Sequence, residues 1–188
     1  MNDQRNWLER LGEKIPGYGG YVQKERRRDI DKLHREHLAD RLRTLKQTLN
    51  DVVRELTDGR RLMEVGPVDR AAKKVDMVEN RVRYASYGYG GLFDVVKIEE
   101  PQLDRLYQFD LALVQKVEEL EQHARALKDG AGTAEGLKGA AANLERALDE
   151  FNRAFDERSR SINDTGGGGG SPEDGPQGGR PGPMFGVQ

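Results

Sequence analysis

Apolar positions recur along this chain at the spacing of helices packed lengthwise. Ile30 opens the pattern, and from Leu38 through Leu42, Leu45, Leu49, Val52 and Leu56 the steps alternate four and three. That alternation keeps one stripe of a helix turned towards a neighbour. It predicts a first helix over about residues 22–56, roughly 50 Å long at ~1.5 Å per residue, with a stop at Asp58-Gly59. Arg60 to Val65 reads as a connector. Gly66-Pro67 then opens a second helix, because proline is tolerated in a first turn. Val68, Ala71, Val75, Val78, Val82 and Ala85 give that helix a matching stripe.

A third helix is predicted from Pro101, with Leu103, Leu106, Leu113, Val117, Leu120, Ala124 and Leu127 inside and a close at Asp129-Gly130. Thr133 reads as the N-cap of a fourth helix. Leu137, Ala141, Leu144, Leu148, Phe151 and Phe155 carry its stripe to about Arg160, and Gly136 and Gly139 weaken its start. The pattern as a whole predicts an all-α fold. It is an elongated antiparallel bundle of about four long helices over residues 5–160, with hairpins at about 22–85 and 101–160.

The segments between these helices have their own chemistry. Trp7, Leu8, Leu11 and Ile15 share one face of a short amphipathic segment. Such a face suits the lipid headgroup boundary, or it can dock on one end of the bundle. The mixture of Glu9, Glu13, Arg10 and Lys14 on the other face favours docking. Pro16-Gly17-Tyr18-Gly19-Gly20-Tyr21 is a turn. Its Gly-Tyr-Gly-Gly returns at Gly88–Gly91, after Tyr87. This is either the trace of a duplicated helical hairpin or a coincidence of two turns. Residues 92–98 read as extended, tucking Phe93, Val96 and Ile98 onto the bundle end. From Asn163 a Gly/Pro-rich stretch reads as a disordered tail over 163–188 that ends in Met184-Phe185-Gly186-Val187.

Composition narrows the possible partners. Charged residues make up 34% of the 188 and aromatic residues only 6%, which suits thin apolar seams under charged faces. A formal net charge of -2 argues against a general nucleic-acid binder. With no cysteine, disulfides and thiolate chemistry are excluded. No apolar run approaches the ~20 residues a membrane-spanning helix needs, and no signal peptide is visible. A cytoplasmic location, possible membrane-peripheral contact included, is expected.

No stretch specifies a reaction. His34-Arg35-Glu36-His37 invites comparison with helical zinc motifs, but its histidines stand three apart and match neither His-Glu-x-x-His nor its inverse. They read as solvated histidines on a charged helix. The basic run Lys24 to Arg28 leads into Asp29, Asp31, Lys32, Arg35 and Glu36, whose spacing favours intrahelical pairing over a phosphate-binding stripe. Tyr18, Tyr21, Tyr87 and Tyr89 either pack at the bundle ends or form a binding surface beside flexible glycines. Asp110 breaks the apolar row of the third helix. A charge on that row needs a partner, with Arg81, Arg83 or a tyrosine hydroxyl as candidates, and its expected role is to fix register. A small rotation of the helix would instead turn Phe109 or Leu111 inward.

Ile15-Pro16-Gly17-Tyr18, Lys24-Glu25, Arg27-Arg28-Asp29 and Asp31-Lys32-Leu33 recur together with Gly91-Leu92-Phe93-Asp94 and the run Leu103 to Asp110. This combination resembles a family of uncharacterised bacterial helical proteins, over roughly Trp7 to Leu127 and not the Gly-rich end. The resemblance carries no activity over to this chain, and no cofactor is expected. It implies company with stomatin-like membrane scaffold proteins. The expected function is a non-enzymatic cytosolic scaffold or adaptor that binds protein partners through helical faces, the Tyr/Gly turns and the Met184-Phe185 end. It is also a plausible homo-oligomer. The alternative is a peripheral membrane protein that uses Trp7, Leu8, Leu11 and Ile15.

Overall fold

The computed structural model describes residues 9–19, 27–85 and 100–166. Four long helices account for most of these: α1 (Arg27–Asp58), α2 (Leu62–Tyr84), α3 (Glu100–Asp129) and α4 (Ala134–Gly166). The apolar rows of the sequence become one core. Leu38, Leu42, Leu49 and Val52 of α1 are fully buried, as are Val68, Val75 and Val82 of α2. Val114, Val117 and Leu120 of α3 and Leu144, Leu148 and Phe151 of α4 complete it. Each such side chain contributes about 1.5–3 kcal/mol by leaving water.

The helices form two hairpins, α1–α2 and α3–α4, laid side by side. Around the bundle the order is α1, α2, α4, α3, so α2 and α3 stand diagonally opposite, as do α1 and α4. The ion pairs fix the directions. Arg83–Asp40 and Lys46–Asp76 run α1 and α2 antiparallel. Arg41–Glu121, together with the hydrogen bond from His34 to the Asp110 carbonyl, makes α1 and α3 parallel neighbours. Arg70–Glu145 and Arg81–Asp156 do the same for α2 and α4.

A short leading segment, helical over residues 9–14, completes one flank. Leu11 and Ile15 lie in the core, the latter 1% exposed, and Lys14 pairs with Glu118 of α3. The segment therefore docks on the bundle. Two of the residues offered above as a lipid-facing stripe are already covered by protein, because the core gains more from them than an exposed face would. No helix among the described residues is long and apolar enough to cross a membrane. Trp7, Leu8, Tyr21, Tyr87, Tyr89, Phe93, Met184 and Phe185 lie outside the described residues, as do the 92–98 segment, the second Gly/Tyr turn and the chain from 167 onward.

Two turns depart from expectation. α1 ends in a Schellman-type close, with Arg61 N–H donating to the Leu56 carbonyl and Arg60 N–H to that of Thr57. The left-handed residue is Arg60, at φ 59°, and not Gly59. This leaves Arg61 as the N-cap of α2, which starts at Leu62 and carries Pro67 inside it. The carbonyl that Pro67 cannot bond belongs to Met63, which is 96% exposed and open to water. At the other turn a short 3-10 segment, Gly130–Gly132, leads to the expected cap: Gly136 N–H donates to Thr133 Oγ1 at 3.1 Å.

Candidate functional site: a buried charge network

The end of the bundle where α1 and α3 begin and α4 finishes contains a polar cluster inside the core. Asp110 sits on the inner row of α3, fully buried, with Leu111 nearly so and Phe109 only half-buried. Helix α3 does not rotate to release it. Its partner is neither Arg81, which bonds Asn152 and Asp156, nor Arg83, which bonds Glu79 and Asp40. Those arginines stand on outer edges of α2. Arg158 of α4 takes the role, with Nε donating to Asp110 Oδ1 at 2.6 Å. The expected tyrosine is Tyr18 of the leading segment, whose hydroxyl donates to Oδ2 at 3.0 Å. Its ring meets Tyr107 edge-on, centroids 6.5 Å apart.

The network continues across the bundle. The second arm of Arg158 donates to Asp31 Oδ1 of α1 at 2.9 Å, spanning the diagonal. The other oxygen of Asp31 accepts from Arg35 Nε at 2.8 Å, and Arg35 also caps the Arg83 carbonyl at the end of α2. Asp31–Arg35 is the intrahelical pairing the spacing predicted, but it is buried. Among the described residues two aspartates thus meet two arginines in one connected network. Burial alone would raise the Asp31 carboxyl, but Arg158 and Arg35 beside it outweigh that and hold it below its ordinary value.

His34 is not solvated. It is fully buried, and Nε2 donates to the Asp110 carbonyl oxygen at 3.2 Å. Nδ1 faces Asp110 Oδ1 at 3.5 Å without a hydrogen bond. Burial lowers its pKa, and the Arg158 charge adds to that against the pull of Asp110 and Asp31. Because a carbonyl oxygen only accepts, Nε2 carries a proton. His37, one turn on, is half-buried, and its pKa is lowered by burial and by Arg41.

One rule places the members of the network on α1 and α4. The apolar row of α1, followed back from Leu38, falls on His34, Arg35 and Asp31. That of α4, followed forward from Phe155, falls on Arg158. Sequence reasoning placed Asp31 and Arg35 in an intrahelical pair and His34 in solvent, and passed over Arg158; following the rows through these positions puts all four inside. Among the described residues no group of three His, Cys, Asp or Glu is arranged to hold a metal ion. The Arg158 guanidinium occupies the space between the two carboxylates. At the opposite end a cavity of about 260 Å³ lies between the two turns, lined by Val52, Glu55, Leu56, Arg61, Ala131 and Gly132. Arg61 there is bound by Glu64 and by the Ala131 carbonyl.

Comparison with family models, with curated proteins and with solved structures gives no match to this chain.

Proposed function

We propose that this chain is a non-catalytic scaffold or adaptor, a stiff bundle whose outer helix faces meet protein partners. The observation that carries this reading is the Asp31–Arg158–Asp110 bridge. The most deeply buried carboxylates are engaged by a guanidinium and a tyrosine hydroxyl, which suits fastening helices better than moving protons. A bundle fastened in this way holds its exterior in fixed register, which is what a docking platform requires. The Tyr/Gly turns and the Met184-Phe185 end belong to the proposal as further contact points. A cytoplasmic location and self-association belong to it too.

Affinity capture from native lysate with the full chain and with a chain ending at Gly166 tests the proposal. Recovery of the same proteins by both assigns them to the bundle, and loss on shortening assigns them to the C-terminal segment. Failure of both chains to retain any protein overturns the reading.

A further inference from the structure

Four large apolar side chains stand exposed among the described residues: Leu62 at 65%, Met63 at 96%, Met77 at 59% and Tyr84 at 61%. Apolar residues scattered singly over a surface need no explanation. Three of these four are not scattered. Met63, Met77 and Tyr84 fall on one line of α2 at multiples of seven residues, and the line continues through Gly66, Arg70, Lys73 and Asn80 in steps of three and four. All seven positions are exposed. This is a second heptad stripe, on the side of α2 away from the core stripe Val68, Val75, Val82.

The charges on the stripe indicate what covers it. It holds two cations, Arg70 and Lys73, and no acid. Their intramolecular contacts are weak: Arg70 lies 3.9 Å from Glu145, with its side chain 66% exposed, and Lys73 pairs with Asp69 of its own helix at 75% exposure. Exposed pairs of this kind exchange partners at little cost. A second copy of α2 fits poorly. Antiparallel pairing centred on the stripe sets Lys73 against Lys73, and parallel pairing adds Arg70 against Arg70. We propose that this outer face of α2 is a docking site for an acidic amphipathic helix of another protein. Its apolar residues would meet Met63, Met77 and Tyr84, and its Asp or Glu side chains would lie over Arg70 and Lys73. The proposal rests on the scaffold reading and assigns it a face and a partner chemistry.

Two synthetic 24-residue helical peptides with identical leucine positions provide the test, one with Glu and the other with Lys at the positions flanking the leucines. Fluorescence anisotropy against the full chain is expected to show the Glu peptide binding at least tenfold more tightly. Met77→Ser should weaken that binding severalfold, and the double change Arg70→Glu, Lys73→Glu should reverse the preference. Circular dichroism should remain unchanged, because all three positions are exposed. Equal binding of the two peptides, or Glu-peptide binding indifferent to both variants, overturns the proposal. So does a dimer of the chain in sedimentation that Met77→Ser dissociates, since the face would then belong to a second copy. A Met77→Ser chain that still captures the full set of lysate partners rules out this face while leaving the scaffold reading intact.

Discussion

Arg158 shows how much one side chain can carry. It is fully buried and bonds carboxylates on two different helices. Removing one member of a buried ion network leaves the others charged and unpaired, at a cost of about 3–5 kcal/mol. Arg158→Ala should lower stability by that amount in urea unfolding, and Arg158→Met, which refills the volume, should not restore it while Asp31 and Asp110 remain. The histidines give the network a pH dependence. Folded His34 has a pKa below the ordinary 6.5, so between those values the unfolded chain binds a proton that the native chain refuses. Its stabilising contribution is complete above about pH 6.5 and shrinks as the pH falls through that value towards the lowered one; half-buried His37 adds to the same slope. Asp31 continues the loss in stronger acid, below its ordinary 3.8. Unfolding midpoints taken from pH 7.5 to 4.5 should therefore fall, and His34→Gln should flatten the slope. Asp110 was legible in the sequence because a carboxylate interrupted a row of leucines. Arg158 was not, because a charge following Phe155 looks like the end of a seam.

Among the elements, the turns repay attention more than the helix interiors. A non-glycine residue in the left-handed region costs about 1–2 kcal/mol, and Arg60 is such a residue. Arg60→Gly should raise stability by roughly 1 kcal/mol in thermal unfolding. The two glycines at the head of α4 should behave in opposite ways. A Cβ on Gly139 meets nothing within 4 Å, so Gly139→Ala should gain about 1 kcal/mol of helix propensity. A Cβ on Gly136 would lie 2.8 Å from Thr133 Oγ1 and 3.0 Å from the Gly130 carbonyl, so Gly136→Ala should destabilise. The sequence treated both glycines as weak helix formers. Propensity cannot tell a glycine that permits a close turn from one that does nothing. The start of α2 was misplaced for a related reason. Pro67 marked a plausible first turn, but the Schellman close of α1 leaves only three residues between the helices.

At the scale of the molecule, the number of helices and their buried faces were readable from periodicity, because leucine and valine rows at heptad spacing admit few other folds. Their arrangement was not. Rows of similar aliphatic side chains fit one another in many orders, and only polar contacts such as Arg41–Glu121 and Arg158–Asp31 distinguish them. The leading segment belongs to this level, since it buries Leu11, Ile15 and Tyr18 and meets α1 at Leu33 and α3 at Glu118 and Asp110. Leu11→Ala and Ile15→Ala should each cost about 2–5 kcal/mol, read by denaturant unfolding. The Arg158–Asp31 bond also joins residues 127 positions apart. During synthesis the first three helices are translated before the guanidinium that pairs with their aspartates. Nascent chains halted before residue 158 should therefore be cut by protease near the base of α1, and completed chains should resist: the last helix made is the one that locks the first.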